Sequence, residues 1–505
     1  MKMFDLLTVV FLAAALAVAL GRSTRSRTWA AVLLLGAVIS CAIHLGAERS
    51  RWQMWPAYVV LIVAILVAVV ACRRRTGDLF AERRRMKIAL VMSGMLVLSL
   101  SVLASWAFPL FELPRPSGPF AVGTTQFHFV DASRPETHTA NPVDVRELMV
   151  RVWYPATVDA GSKPAPYMQN MERVSQALNE DQWPYGVLLS HLGQIQTHSF
   201  IDSPLSKRAS AYPVLVFSHG LGMGYAGQNT VLLEELASRG YVIFSIDHTY
   251  DGLASVLPDG RVTTFIADAY ESHDAEPSPE LTRDAERLLN SQDSAALVKV
   301  LERILREQPK EADLSRYWND VWSKDQRFVI DQIEKLQRAE LPSMFAGHLQ
   351  LDRLGVFGMS FGGSVSAVTC AADTRCKAGI NMDGFRAVAI ESPPQRSPFM
   401  YFNSRQLSVN SIFLDRDHND RYFVKVRDGE HPDFMDAPLF SPLLKLAGAS
   451  GPIDAQRMLA LLNAYVGAFF DRYLLGKSTA LLNGPSAEYP EVQLEARTAL
   501  GGNGT

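Results

Sequence analysis

Four long apolar runs crowd the first 110 residues of this 505-residue chain and leave it little structural choice there. They are roughly Phe4–Leu20, Trp29–Ala47, Pro56–Cys72 and Ile88–Phe108, each 17 to 21 residues long. About 20 helical residues cross a hydrocarbon layer about 30 Å thick. Lipid offers no partner to a bare N–H or C=O, so such runs are expected as helices that satisfy their own backbone. The first run has a rival reading as a cleaved leader. It starts with Lys2, but Asp5 follows, there is no clean small-x-small site, and Arg22, Arg25 and Arg27 come at once.

The loops between the runs carry unequal charge. Arg22, Arg25 and Arg27 follow the first run, and Arg73, Arg74, Arg75, Arg83, Arg84, Arg85 and Lys87 follow the third. Only Lys2, Arg49, Arg51 and Arg115 fall on the other side, ten basic residues against four. Basic loops stay cytoplasmic, so both termini and the remainder of the chain are expected outside. The runs carry almost no charge apart from His44 near one end. Transport needs ionisable groups within the membrane, so an anchor is the expected role and a transporter the rival.

A Pro/Gly-rich linker, Leu113-Pro-Arg-Pro-Ser-Gly-Pro119, ends the apolar region. Net charge is near zero, at -3, which argues against a nucleic-acid partner. Only four cysteines are present, with no C-x-x-C and no Cys/His cluster, so no metal site is expected. Strand-like runs follow at Thr124–Val130, Leu148–Trp153, Val214–Phe217, Val242–Ile246, Gly355–Phe357, Ala378–Asn381 and Phe399–Phe402. Short β-branched and aromatic runs of this kind read as buried parallel strands. Helical patterns lie between them at Val231–Arg239, Asp325–Ala339 and Ala455–Leu475. Alternation of this kind predicts a doubly wound, mostly parallel α/β sheet. Residues 265–345 are charged, helix-forming and strandless; they read either as a helical cap over the site or as a structural excursion. The expected plan is a transmembrane helical region over 1–112, a linker over 113–122, a catalytic domain over 123–480 and a tail over 481–505.

The motif with the most chemistry is Gly358-Met359-Ser360-Phe361-Gly362, which follows the apolar Leu354–Phe357 and precedes the helix-compatible Ser364–Cys370. A strand, a tight turn and a helix around G-x-S-x-G make the nucleophile elbow of the α/β-hydrolase fold. Ser360 is therefore the candidate nucleophile. Such a serine needs a base and an orienting acid, in the chain order Ser, Asp/Glu, His. Two histidines follow it: His431 in Arg427-Asp-Gly-Glu-His-Pro-Asp433, which is preferred, and His418 among the carboxylates of 415–420. For the acid, Asp383 at the end of Ala378–Asp383 is preferred, with Asp415 the rival and a simple turn role the bland reading. An oxyanion hole needs backbone N–H groups aimed at developing charge. Phe361 follows the serine directly, and Phe217-Ser-His-Gly-Leu-Gly-Met-Gly224 follows an early strand, which makes Leu221 the second candidate donor. His219 reads as a structural part of that turn.

These residues resemble the platelet-activating-factor acetylhydrolase family, the plasma and type II form. The likeness rests on Ser218-His-Gly-Leu-Gly222, Gly358-Met-Ser-Phe-Gly-Gly363, Asp383 placed 23 residues after the serine, His431 with Asp433-Phe434, and Ala468-Phe-Phe-Asp-Arg-Tyr473. It spans roughly residues 118–477. The resemblance implies a triad of Ser360, Asp383 and His431, oxyanion donors Leu221 and Phe361, no cofactor and no metal. It also implies a serine ester hydrolase acting on short-acyl or lipid-like esters. The apolar runs and their loop charges add the expectation of a multi-pass protein, in a bacterial inner membrane, with its catalytic domain on the extracytoplasmic side. Met359 before the nucleophile and the four apolar runs depart from the family pattern. Bacterial dienelactone hydrolases and cutinases share much of the frame, so an esterase of non-lipid esters is the alternative. A receptor that kept the fold without the chemistry is a further rival. Expected partners are an ester substrate and the bilayer; the oligomeric state stays open. Cys370 and Cys376 flank five residues before the strand leading to Asp383. They form a disulfide if that side is oxidising, or two buried thiols otherwise.

Overall fold

The computed structural model describes residues 2–21, 23–73, 84–271, 278–280, 283–284, 287, 294–385, 387–404, 409–416 and 419–498. The side chains of 294, 387, 409, 415 and 416 are also outside this description. Several residues named above therefore lie outside the described set: Arg22, Arg74, Arg75, Arg83, His418, the side chain of Asp415, and part of the 265–345 segment. The chain divides into two compact units. One comprises Met1–Phe111, Trp183–Ile195 and Phe440–Leu443; the other comprises Glu112–Gln182, Gln196–Leu439 and Leu444–Thr505.

The first unit is built on four helices: α1 (Met3–Ala19), α2 (Thr24–Ile43), α3 (Trp55–Arg73) and α4 (Arg84–Ala107). The helical stretches Thr24–Glu48, Trp52–Arg73 and Arg84–Ala107 are long and apolar enough to cross a membrane, whereas α1 is a shorter apolar helix. Leu12, Ala37, Ala57, Leu61 and Leu98 pack at the centre. Leu35, Ile62, Leu66 and Leu96 are each more than half exposed, so the outer surface is as apolar as the inner one. A helix apolar all round suits lipid better than water. The near-absence of charge expected here needs one correction. Asp5 lies in α1, fully buried, and pairs with Arg51. His44 Nδ1 is 2.9 Å from Asp5 Oδ1 and 3.2 Å from Glu48 Oε2, and its Nε2 is 2.6 Å from the Tyr58 hydroxyl. These groups come from the start of α1, the residues after α2 and the start of α3, so they gather at one end of the helices as a charge-paired set.

The second unit is an α/β structure around an eleven-stranded sheet. Its strands are β1 (Ala121–Pro135), β2 (Val145–Ala156), β3 (Pro164–Pro166), β4 (Gln196–Ile201), β5 (Tyr212–Ser218), β6 (Val242–Asp247), β9 (Leu349–Met359), β10 (Ala378–Met382), β11 (Phe399–Asn403), β12 (Arg421–Val426) and β13 (Val492–Arg497). A separate hairpin pairs β7 (Ala254–Val256) with β8 (Val262–Thr264). The order is β13-β12-β11-β10-β9-β5-β6-β2-β1-β4-β3. Pairing is parallel from β6 through β12 and antiparallel at β6–β2, β2–β1, β4–β3 and β12–β13.

Central strands are covered on both faces, which is why they read as unbroken apolar runs. Along β5 the side chains alternate between two cores. Leu215 and Phe217 join the one that holds Phe357, Phe469 and Phe470. Val214 and Val216 join the other, with Val329, Ile330 and Ile333. Four helices matter for the site: α5 (Thr230–Ser238), α6 (Pro309–Gln337), α7 (Phe361–Ala372) and α8 (Ala455–Leu475). Helix α8 is long and apolar enough for a membrane span, yet Leu461, Leu462, Tyr465, Val466, Phe469 and Phe470 are fully buried in the sheet's core.

Helix α6 is longer than its expected form. It begins at Pro309 rather than Asp325, with proline in its first turn where a missing N–H costs nothing. Trp318, Trp322, Gln326, Val329, Ile333 and Leu336 form its buried face at spacings of three and four. The charged outer face of 309–324 hid that register from the sequence. Within the 265–345 segment the described residues are largely helical, and the second half of α6 packs into the sheet's core.

Candidate active site

Ser360 sits between β9 and α7 with φ 56° and ψ -125°. A positive φ at a non-glycine residue marks a strained turn. Glycine is required on both sides: a Cβ at Gly358 would run into the Gly362 backbone, and one at Gly362 into the carbonyls of Ser218 and His219. Ser360 N–H donates to the Met382 carbonyl at 2.7 Å, which locks the turn to the neighbouring strand β10.

Asp383 follows β10 directly, also at positive φ, 53°, and is nearly fully buried. Its Oδ1 accepts the Ser404 N–H at 2.6 Å, and its Oδ2 is 2.6 Å from His431 Nδ1. His431 Nε2 lies 3.0 Å from Ser360 Oγ. The imidazole side chain is 47% exposed, so the relay opens to solvent on one side. Asp433 shapes the loop that holds His431: its Oδ2 accepts from the N–H groups of Glu430 at 2.8 Å and Gly451 at 2.7 Å. Of the residues singled out from sequence, the structure thus brings Ser360, Asp383 and His431 together.

The loop after β5 lies against the elbow. Gly362 N–H donates to the His219 carbonyl at 3.1 Å. Gly220 N–H is taken by Gln228 Oε1 at 3.0 Å, and Gly222 N–H by the Asp251 carbonyl at 2.9 Å. Leu221 lies between these two committed amides. The side chains of Leu221 and Phe361 both join an aromatic cluster with Trp318, Trp322 and Tyr270. His219 is wholly buried; its Nδ1 is 2.7 Å from the Gly220 carbonyl and its Nε2 accepts the His248 N–H at 3.1 Å. Burial first, and the neighbouring His248 second, push its pKa down to about 3, so it is neutral and belongs to the turn rather than to proton transfer. Cys370 and Cys376 are joined as a disulfide with Cα atoms 5.2 Å apart, between the end of α7 and the start of β10.

Gln228, Ser218, His248 and Asp325 also support this loop, and the sequence offered little sign of them. Asp325 read as a helix start because the true start lies 16 residues earlier. The i, i+4 pair Trp318 and Trp322 was the available clue to the longer helix.

Comparison with known proteins agrees with this architecture. The family described as platelet-activating factor acetylhydrolase, isoform II, matches residues 107–478. A probable 1-alkyl-2-acetylglycerophosphocholine esterase of Arthroderma benhamiae is 26% identical over 432 residues, covering 76% of this chain and 93% of that protein. A platelet-activating factor acetylhydrolase of Cavia porcellus is 24% identical over 379 residues, covering 72% of this chain and 78% of that protein. Among solved structures, a ferulic acid esterase from Streptomyces cinnamoneus superposes with a TM-score of 0.55 at 26% identity, covering 76% of this chain and 99% of that one. With the family matched across most of its length, the chain belongs to the platelet-activating factor acetylhydrolase, isoform II, family and is an ester hydrolase of the α/β-hydrolase type.

Proposed function

We propose that the protein is a membrane-anchored serine esterase that cleaves short-acyl or lipid-like esters through Ser360, His431 and Asp383. The observation that carries this is the imidazole of His431, 3.0 Å from Ser360 Oγ and 2.6 Å from Asp383 Oδ2. His431 Nδ1–H donates to the Asp383 carboxylate, which leaves the Nε2 lone pair to accept the Ser360 proton. The alkoxide attacks the ester carbonyl, and the N–H groups of Leu221 and Phe361 hold the oxyanion. The imidazolium returns its proton to the departing alcohol. Water then enters and gives a proton to His431 as its oxygen attacks the acyl carbon; the bond to Ser360 Oγ breaks, His431 returns the proton to that oxygen, and the acid leaves. These steps use no metal or cofactor.

Substrate class is supported by the relatives whose names specify 1-alkyl-2-acetylglycerophosphocholine and platelet-activating factor. The apolar helices of the first unit support a site held near lipid. The arginine-rich loops support the extracytoplasmic side for that site. A second reading, an esterase of non-lipid esters, is favoured by the ferulic acid esterase likeness over nearly that protein's whole length.

The deciding experiment measures hydrolysis of p-nitrophenyl esters of increasing acyl length, of an acetylated ether phospholipid and of a feruloyl ester, with wild type beside Ser360→Ala. Preference for short acyl chains and for the phospholipid, lost in the variant, is the expected result. Full activity in Ser360→Ala overturns the catalytic assignment; cleavage of the feruloyl ester alone overturns the lipid substrate.

A further inference from the structure

A second serine–histidine–aspartate relay lies behind the oxyanion loop, closed off from solvent. Ser218, the last residue of β5, has its Oγ 2.9 Å from His248 Nε2, and His248 Nδ1 is 2.9 Å from Asp325 Oδ2. The three residues are 0%, 1% and 0% exposed, so no ester reaches them and they do no chemistry on substrate. Proton positions follow from their neighbours. Asp325 accepts from Arg146 at 2.8 Å and Arg134 at 2.7 Å. Burial alone would raise its pKa, but Arg146 foremost holds it well below the usual carboxylate range. An ionised Asp325 takes the Nδ1–H of His248. Burial pushes His248 down to about 4, so its Nε2 stays a bare acceptor and Ser218 donates to it. Gln326, one residue on in α6, donates through Nε2 to Ser218 Oγ at 2.9 Å and to Ser366 Oγ at 3.0 Å. Ser366 in α7 in turn donates to the Gly362 carbonyl at 2.7 Å. His248 also donates its backbone N–H to His219 and stacks on Trp322 with ring centres 3.6 Å apart.

Two links of this set reach the chain next to the candidate oxyanion donors: Ser218, at the end of β5, is held by His248 and Gln326, and Ser366 holds the Gly362 carbonyl. Ser218 stands three residues before Leu221, and Gly362 directly follows Phe361. Resting on the reading of those two amides given above, we infer that Ser218, His248, Asp325 and Gln326 are positioning residues for ester hydrolysis: they fix the end of β5 against helices α6 and α7 and so aim the Leu221 and Phe361 N–H groups at the developing oxyanion. Removing one such link shifts an amide rather than deleting it. The oxyanion is the only species that feels the shift in full, because electrostatic stabilisation depends on donors already pointed at the charge.

The test uses the full-length protein in detergent, with Ser218→Ala and Gln326→Met. Turnover is expressed per active site titrated with a fluorophosphonate, so misfolded molecules are not counted. The expected result is a kcat lowered about tenfold or more with KM nearly unchanged. Affinity for a trifluoromethyl ketone, whose serine adduct carries the oxyanion, should fall by the same factor. A role confined to stability would reduce the number of titratable sites and the melting temperature but leave kcat per site and ketone affinity at wild-type values, and that outcome overturns the inference. Gln326→Met keeps the side chain's size, so it remains informative if Ser218→Ala fails to fold. If wild type is active, Ser360→Ala is inert and both positioning variants turn over at full rate, this inference alone fails. If wild type cleaves no ester, the proposed function fails and the inference falls with it.

Discussion

Asp383→Asn keeps the side chain's shape but replaces the acceptor that His431 Nδ1–H requires. The imidazole then favours the wrong tautomer, so kcat should fall by about 10⁴ while the fold persists. Stopped assays of kcat beside a thermal melt check both halves. Ser360 was legible because an elbow is local: strand, glycines and helix lie within 20 residues of one another. Asp383 and His431 were candidates, but their pairing spans 48 residues and only the fold brings the side chains together. Asp325 and Arg146 are 179 apart, and no local pattern announces them. Asp436 is a similar case with a pH consequence. It is fully buried, accepts the Tyr167 hydroxyl at 2.9 Å, and burial pushes it up to about 8 from an ordinary 3.8. Its folded pKa lies above its unfolded one, so its contribution to stability is complete below about 3.8 and is lost as pH rises through about 8. Each pH unit in that window removes at most about 1.4 kcal/mol. The melting temperature of wild type minus that of Asp436→Asn should therefore fall between mildly acidic and alkaline buffer. A difference that is flat or rises with pH would contradict the protonated carboxyl.

Among elements, α8 illustrates how composition misleads until burial is known. Its length and hydropathy match a membrane helix, but its aromatic face fills one side of the sheet. Phe470 packs edge-on against Phe357 of β9 with ring centres 5.4 Å apart, directly beneath the strand that ends in the elbow. Phe470→Ala should cost about 3–5 kcal/mol, read from the sheet unit's transition in chemical denaturation. The bounds expected for α8 match those observed, because Asp454 caps its start and Gly476, in a left-handed conformation, ends it. Strands β12 and β13 were not anticipated. Each is short and mixes charge with apolar residues near the end of the sheet, where one-sided exposure dilutes the signal. The parallel centre was readable from unbroken apolar runs; β1 and β2 were readable as strands but not in direction, since they were expected parallel and instead pair antiparallel with each other, as β2 does with β6.

At the level of the whole molecule, two surfaces of opposite character share one chain. The outward side chains of α2–α4 include Leu35, Ile62, Leu66 and Leu96, while the sheet unit buries most of its large apolar residues and exposes a scattered few, such as Val143, Met223 and Leu446. A helix bundle with such a surface is suited to hydrocarbon by its length and composition. The protein should pellet with membranes through alkaline carbonate washing and be released only by detergent; recovery in the carbonate supernatant would contradict anchoring. The set of buried Asp5, His44 and Arg51 with half-buried Tyr58 shows why counting charges in apolar runs understates them, since partners from loops complete the set.

Strand β3 has a bearing on how copies meet. It is the outermost strand at one side of the sheet, only three residues long, with proline at both ends. Proline has no N–H to lend, so a strand arriving from a neighbouring molecule finds almost no ladder there to extend. Anchored proteins diffuse in two dimensions and collide far more often than dissolved ones at the same copy number. This border of the sheet is therefore blunt, and pairing of two copies edge to edge through β3 would gain few hydrogen bonds even where apolar helices held both copies in one bilayer.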